Sequence, residues 1–490
     1  YDAPITVVGH IAEPQTNLGM EIFGEWVRHP QYGDQFKFSR YLPERPNTPE
    51  GLIRYLSSGI LKGVGPVTAR RMVDTFGTDI LEILDNTPER LTEVPGITKS
   101  KLKKIEEGWQ EQKGVQHIML FLQGQGISAA YAHRIYSHYE ERAIEVVEQN
   151  PYRLAQEVSG IGFRTADRIA RKLGLSPKSP YRMEAGLIYT LQQAAAQQGH
   201  IFLPRSTLLS QASSGLQFRD YDDAREPDSA AGLESSALEE ALDRLLEDGR
   251  LVSEALSENE EPAVYLRYMY EAERSVAAHF HRLLTNVPRV EVARQTVEEW
   301  KTSSREVRGI ALSKEQATAV AAALVNKVLV ITGGPGVGKT TTTKAIVDLF
   351  EDSECQVMLA CPTGRAAKRL SELTEKPART IHRMLELDPL TWHFRRNAEN
   401  PLKADVVVID EASMLDLSLT NSLMEAIPDG ARLIIVGDAD QLPSVGPGIV
   451  LRDLLACKNV PRVCLREIFR QEKQSLIVTN AHRVNTGRMP

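Results

Sequence analysis

The stretch Gly333–Thr340 reads GGPGVGKT and fits G-x-x-x-x-G-K-[ST] at every position. It follows the apolar run VLVIT and opens a helical pattern, which is the context such a loop needs. Glycines let backbone N–H groups curl around phosphate oxygens without side-chain clash, and a helix N-terminus adds a favourable dipole. Gly334, Pro335, Gly336, Val337, Gly338, Lys339, Thr340 and Thr341 therefore form the candidate cradle for ATP. In it Lys339 reaches the terminal phosphates, and the Thr340 hydroxyl ligates Mg²⁺. About 70 residues later VVVIDEAS (406–413) delivers Asp410 and Glu411 to the end of a buried strand, where α/β sites collect ligands. Asp410 is the second metal candidate, acting through water, and Glu411 would orient or deprotonate an attacking water. A third run, RLIIVGD, leads into GDADQLPSVGPG (437–448) and brings Asp438 and Gln441 alongside. Gln441 can hydrogen-bond a γ-phosphate or its attacking water.

These residues need strands that end on one edge. From Gly309 onward VLVIT, VMLAC, VVVID and RLIIVGD alternate with helical stretches, the pattern of a parallel sheet with helices on both faces. The preceding chain is different. Residues 1–48 alternate apolar and polar groups between Gly, Asn and Pro, which predicts a small β-rich domain, a barrel being one form it can take. Residues 49–178 read as short helices broken by glycine. Residues 179–300 hold amphipathic helices (181–200 and 236–250), a turn-rich loop at 213–232, and a strand pair LVSEAL and AVYLRYMY, which together suit a winged-helix-like module. The expected fold is thus multidomain α/β, ending in a P-loop RecA-like domain over 309–490.

Four glycine turns punctuate the helical region: GVG at 63–65, GIT at 96–98, GQG at 124–126 and GIG at 160–162. Ala69, Leu102, Ala130 and Ala166 follow each third position by four. This resembles tandem helix-hairpin-helix units, which hold a DNA phosphate with hairpin amides and a helix N-terminus without reading sequence. Arg70, Arg71, Lys99, Lys101, Lys103, Arg164 and Arg168 lie nearby, while Thr98 replaces the usual second glycine. Packing between protein elements is the competing use of such units.

Taken in order, GGPGVGKT, CPTGRAA, TIHRML, DEAS, GDADQLPSVGPG and EIFRQ resemble the successive motifs of superfamily 1 helicases, and most of all the longer stand-alone RecD-like bacterial helicases. The resemblance is close over 309–490 and looser before it. It implies that Gln316, in LSKEQATAV, contacts adenine. It implies that Thr363, Gly364 and Arg365 meet the backbone of single-stranded DNA, with Thr380, His382 and Arg383 nearby; a hydroxyl, an exposed N–H and a guanidinium all suit phosphate. It implies that Arg470 reaches the γ-phosphate. It also places a strand-splitting β-hairpin near 386–400. There Trp392 and Phe394 alternate with His393 and Arg395, and an aromatic could stack on a base at a single-strand/duplex junction.

The whole-chain totals are compatible with this. Hydrophobic content of 42% and charged content of 25% fit a globular protein, and no run approaches the roughly 20 apolar residues of a membrane span. Net charge is −7, but 5 basic and 15 acidic residues fall in 201–262 against 17 and 15 in 51–175, so an acidic segment sets the total without excluding a DNA-binding face. Cys355, Cys361, Cys457 and Cys464 form no C-x-x-C pair, which points to a reducing cytoplasm and no metal or disulfide role. The expected function is ATP-dependent translocation on single-stranded DNA, 5′-to-3′ by family implication, in repair or recombination. A DNA-bound ATP switch or scaffold is the alternative, and an RNA helicase a third. The chain shows no nuclease-type cluster. It begins at Tyr1, and no motif of a second RecA-like domain follows EIFRQ. It therefore reads as part of a longer protein, expected to bind ATP but to hydrolyse it poorly and not to unwind DNA processively by itself.

Overall fold

The computed structural model describes residues 6–8, 20–29, 33–43, 48–57, 61, 64–124, 127–216, 235–257, 260–291, 312–467, 480–481, 483–484 and 487–489. The chain divides into two compact units, Tyr1–Gly186 and Leu187–Pro490.

The first unit opens with three strands, β1 (Val7–Val8), β2 (Met20–His29) and β3 (Gly33–Pro43), in the order β1-β3-β2. β2 and β3 pair antiparallel with a register slip at Phe23/Gly24, and β1 joins β3 in parallel. Among the described residues the alternating N-terminal pattern thus yields a three-stranded sheet.

The helical remainder is an internal repeat. Each half runs helix, 3₁₀ turn, short helix, proline-initiated 3₁₀ turn, glycine hairpin, with one further short helix, Leu154–Glu157, before the hairpin of the second half. In the first half the elements are Pro66–Phe76, Gly77–Asp79, Ile80–Asn86 and Pro88–Glu93, with Gly96 in the hairpin at φ 93°. The second half has Ala129–Tyr139, Glu140–Arg142, Ala143–Gln149 and Pro151–Arg153, with Gly160 at φ 82°. Each half has its own core, around Leu56, Met72, Ile80 and Leu91 in one and around Ile135, Ala143, Leu154 and Ile161 in the other. Ala69 and Ala166 are fully buried, as a close helix approach behind each hairpin requires. One expectation fails here: Lys99–Gly124 is a single 26-residue helix rather than a set of short ones. A glycine inside a helix costs only about 1 kcal/mol against Ala, so Gly108 and Gly114 do not break it.

The second unit begins with a three-stranded antiparallel sheet, β4 (Phe202–Pro204), β5 (Leu251–Glu254) and β6 (Ala263–Leu266), ordered β4-β6-β5. Helices Arg205–Leu216 and Ser235–Glu247 precede β5, an order that fits the winged-helix-like expectation. Of the expected loop at 213–232, Ser213–Leu216 are helical and the rest lies outside the described residues. The run AVYLRYMY is strand only to Leu266; Arg267–Thr285 is a helix. Its Val276, Phe280 and Leu283 enter the same core as Leu423, Met424 and Leu433. The segment expected as a separate module over 179–300 therefore shares a core with the motor sheet.

That sheet has six parallel strands: β7 (Val328–Gly333), β8 (Val357–Cys361), β9 (Ala378–Thr380), β10 (Val406–Ile409), β11 (Arg432–Gly437) and β12 (Arg462–Leu465). Their order is β12-β7-β11-β10-β8-β9. β10 and β11 are buried at every position, as expected of β-branched runs covered on both faces. Two cores flank them.

Candidate functional site

Because the six strands are parallel, their C-terminal ends share one edge. Along it stand Arg466 after β12, the P-loop after β7, Asp438 after β11, Asp410 after β10, Thr363 beyond β8 and Thr380 at the end of β9. The centre of the edge holds the nucleotide candidates, and the β8/β9 side holds the DNA candidates.

The P-loop owes its shape to glycine at three places. Gly336 and Gly338 adopt φ 76° and 78°, and Gly338 caps the helix Lys339–Asp352. A Cβ on Gly333 would stand 2.6 Å from the Leu465 carbonyl oxygen and 2.8 Å from Val337 Cγ2, so the loop and the end of β12 close on each other without room for a methyl. Lys339 Nζ donates to the carbonyls of Gly333 and Gly334, the latter at 3.0 Å, and lies 3.5 Å from Asp438 Oδ2. The Asp438 side chain is nearly inaccessible, so this ion pair is shielded from water.

Asp410 sits one strand over. Burial pushes its carboxyl up to about 6, with the Glu411 charge adding to the rise; the Glu411 N–H at 2.9 Å and the charges of Lys339 and Arg369 oppose it. Thr340 offers a hydroxyl oxygen at the start of the helix after the P-loop and Asp410 a carboxylate destabilised by burial, oxygen donors of the kind Mg²⁺ takes. Glu411 holds a left-handed backbone, φ 56° and ψ 41°, which turns the chain sharply after β10. Gln441 is exposed, and its Oε1 accepts from the Ser413 hydroxyl at 3.2 Å. That bond ties the 437–448 loop to the turn carrying Glu411.

Gln316 differs from the expectation. It is fully buried. Its Oε1 accepts from the Ser313 N–H at 2.9 Å, and its Nε2 donates to the P-loop carbonyls of Gly338 at 3.2 Å and Val337 at 3.5 Å. The amide forms half of a capping box on helix Lys314–Val325 and faces the P-loop backbone rather than an open base pocket.

On the β8/β9 side Thr363 and Thr380 cap the helices that follow them, accepting from Ala366 N at 3.3 Å and Arg383 N at 3.2 Å. In that bond each hydroxyl is the acceptor, so its own proton is not used in the cap. Gly364 and Arg365 are exposed, and a Cβ on Gly364 would meet nothing closer than Thr380 Cγ2 at 4.0 Å. Packing within the protein therefore does not demand glycine there. His382 and Arg383 are also exposed, with the His382 ring 5.8 Å from that of Phe394.

The 386–400 segment is a tight turn closed by one antiparallel bridge, Leu387↔Phe394, instead of a full strand hairpin. Asp388 organises it, accepting from Leu390 N at 2.9 Å and from Arg395 Nη2 at 3.1 Å, while its carbonyl accepts from Trp392 N at 2.8 Å. Trp392 is 76% exposed at φ 57°. That left-handed residue interrupts the predicted alternation: Phe394 packs on the core and Trp392 projects from the tip.

In the first unit Arg70, Lys99, Lys103, Arg164 and Arg168 are exposed. Arg71 instead donates to the Pro95 carbonyl at 3.1 Å, and Lys101 to Thr68 Oγ1 at 3.0 Å. Arg470 lies outside the described residues, as do Gly63, Gln125 and Gly126 of the hairpins. Two polar contacts at the nucleotide end had no sequence signal: the Lys339–Asp438 pair, and Glu315, whose carboxylate accepts from the Arg466 and Glu467 backbone. No helix among the described residues is long and apolar enough to cross a membrane.

Residues 1–46 match the family described as the OB-fold domain of the ATP-dependent DNA helicase YrrC. Residues 54–111 match a SAM-like helix-hairpin-helix tandem, 111–202 the HHH domain of the ATP-dependent RecD2 DNA helicase, and 316–447 an AAA domain. The whole chain is 34% identical to the ATP-dependent RecD2 DNA helicase of Deinococcus radiodurans, spanning 66% of that protein's length. Over 29% of the chain it is 43% identical to the RecBCD enzyme subunit RecD of Mycobacterium tuberculosis, spanning 28% of that subunit. Among solved structures, a Pif1 helicase from Candida albicans aligns over 37% of this chain and 45% of its own at 23% identity, with a TM-score of only 0.27.

Proposed function

The chain belongs to the RecD2-type DNA helicases, and from that premise we propose that it is the nucleotide-binding part of a motor that couples ATP hydrolysis to movement along single-stranded DNA. The observation that carries this reading is the sheet edge itself. Lys339, Asp438 and Asp410 converge at three adjacent strand ends, and exposed backbone-binding chemistry at Gly364 and Arg365 lies on the same edge. A nucleotide-driven shift in one part of a shared rigid sheet is transmitted to the other.

Lys339 would exchange its loop carbonyls for the β- and γ-phosphates of ATP. Thr340 and Asp410 would hold Mg²⁺, which neutralises developing charge on the phosphoryl group. Glu411 and Gln441, tied together through Ser413, would orient the attacking water, and Arg470 would stabilise the leaving charge. Thr363, Gly364, Arg365, Thr380, His382 and Arg383 would follow the DNA backbone, and Trp392 would stack at a single-strand/duplex junction. Movement 5′-to-3′ and a role in repair or recombination complete the proposal.

The test is steady-state ATPase of the full-length protein with and without single-stranded DNA, alongside strand displacement on substrates bearing a 5′ or a 3′ tail. DNA-stimulated turnover that Lys339→Ala abolishes, with displacement only from the 5′ tail, is the expected result. Turnover without displacement from either tail would favour an ATP switch or scaffold, and turnover surviving Lys339→Ala would remove the P-loop assignment.

A further inference from the structure

Three contacts close a ring at the β12 end of the sheet edge. Gln316 donates to the carbonyls of Val337 and Gly338 inside the P-loop. Glu315, its neighbour on the first turn of the same helix, turns the other way: its Oε2 accepts from Arg466 N at 2.6 Å and from Glu467 N at 3.1 Å. The ring is completed by the approach of Gly333 to Leu465, where a Cβ would be 2.6 Å from the Leu465 oxygen. Among the described residues β12 is the edge strand and pairs only with β7. Just where the ladder stops, at Leu465↔Gly333, the next two backbone N–H groups bond to one carboxylate instead.

We propose that Glu315 is a positioning residue, which ties the chain leaving β12 to the same helical turn that braces the P-loop, so that nucleotide occupancy and the placement of the 466–467 backbone are set together. The inference rests on the ATPase reading above. A single carboxylate accepting two backbone N–H groups is a charge-assisted arrangement stronger than a neutral pair. Those two hydrogen bonds hold the Glu315 carboxyl below its ordinary value, so it stays ionised through the neutral range. The turn itself is rigid, because Ser313 and Gln316 form a reciprocal capping box across it. A displacement of Val337 and Gly338 on phosphate binding is thereby passed through Gln316 to Glu315, and from Glu315 to the backbone of 466–467. Glu315 acts through the 466–467 backbone and not on the phosphates themselves.

The experiment uses the full-length protein with Glu315→Ala, Glu315→Gln and Lys339→Ala, read by ATPase kinetics and by amide hydrogen exchange at 466–467 with and without a non-hydrolysable ATP analogue and Mg²⁺. In the wild type the analogue should slow exchange at these amides. Glu315→Ala should abolish that response and lower DNA-stimulated kcat by about tenfold while KM for ATP changes less than about twofold. Glu315→Gln, which keeps one acceptor oxygen, should recover part of both. Wild-type kcat and an intact exchange response in Glu315→Ala, beside a dead Lys339→Ala, would overturn the coupling and leave the nucleotide site standing. Turnover surviving in Lys339→Ala would overturn both. Should Glu315→Ala fail to fold, the Glu315→Gln exchange response alone decides: an undiminished response refutes the proposal.

Discussion

At the scale of single residues, Gln316 makes the sharpest departure from what its motif implies. An amide that reads adenine must present both its donor and its acceptor to the base. Here the acceptor is taken by Ser313 and the donor by two P-loop carbonyls, in a side chain with no exposure. We propose that its role is to shape the loop, in which case loss of the brace is indifferent to the base. Gln316→Ala removes bonds worth about 0.5–1.5 kcal/mol each, so affinity should fall about tenfold for ATP and GTP alike in a fluorescent-nucleotide titration. A loss confined to ATP would return the residue to base recognition. The P-loop was legible in the sequence because phosphate chemistry dictates its residue types at fixed spacing. Asp438 and Glu315 were not legible as partners of Lys339 and Arg466, because those pairs are separated by 99 and 151 residues and exist only once the strands are ordered side by side.

At the scale of elements, strand and helix periodicity carried most of the fold: the β7, β8, β10 and β11 runs and the hairpins at Gly96 and Gly160 stand where their patterns put them. It failed where one residue breaks the period. Trp392 at φ 57° leaves the predicted two-strand hairpin as a short turn with one antiparallel bridge, held by Asp388, Arg395 and Arg396. A non-glycine residue in that region costs about 1–2 kcal/mol, and with 76% exposure the indole makes little packing to offset it. Trp392→Gly should then raise stability by about 1 kcal/mol in urea unfolding, while strand displacement falls and DNA-stimulated ATPase persists. Equal displacement by the variant would mean the tip does not engage a junction. The helix-hairpin-helix region also hid a polar element. Asp167 accepts from Arg182 at 2.7 and 3.1 Å and from the Tyr152 hydroxyl at 2.8 Å, all three largely buried. Burial would raise the Asp167 carboxyl, but the bonds and charge of Arg182 outweigh it and hold it below its ordinary value. Asp167→Asn leaves Arg182 buried without its counter-charge, and should destabilise the first unit by about 3–5 kcal/mol. A loss below about 1 kcal/mol would show that water reaches the pair.

At the scale of the whole chain, the sequence separated a module at 179–300 from the motor, whereas the structure runs one core through both. The reason lies at the N-terminal edge of the motor sheet, opposite the nucleotide end. There Lys327, Arg432 and Arg282 converge on backbone carbonyls that no hydrophobic pattern marks. Lys327 Nζ donates to Val287 O at 3.3 Å and to Asp429 O, and Arg432 Nη1 to Val290 O at 2.6 Å. Arg282 reaches the Met424 and Ile427 carbonyls, both at 3.0 Å. The chain following helix Arg267–Thr285 is thus clamped to the start of β7 and β11. Burial, reinforced by the Arg432 charge, lowers the Lys327 ammonium from 10.5 to about 8. A lysine whose folded value is depressed binds fewer protons folded than unfolded between those two values, so stability should rise as pH climbs from about 8 to 10.5 and be flat, for this group, below 8. Lys327→Met has no proton to release. Urea midpoints measured across that interval should therefore climb more steeply with pH in the wild type than in the variant, since other lysines and tyrosines contribute equally to both. Parallel slopes would mean the ammonium is solvated and the clamp is open to water.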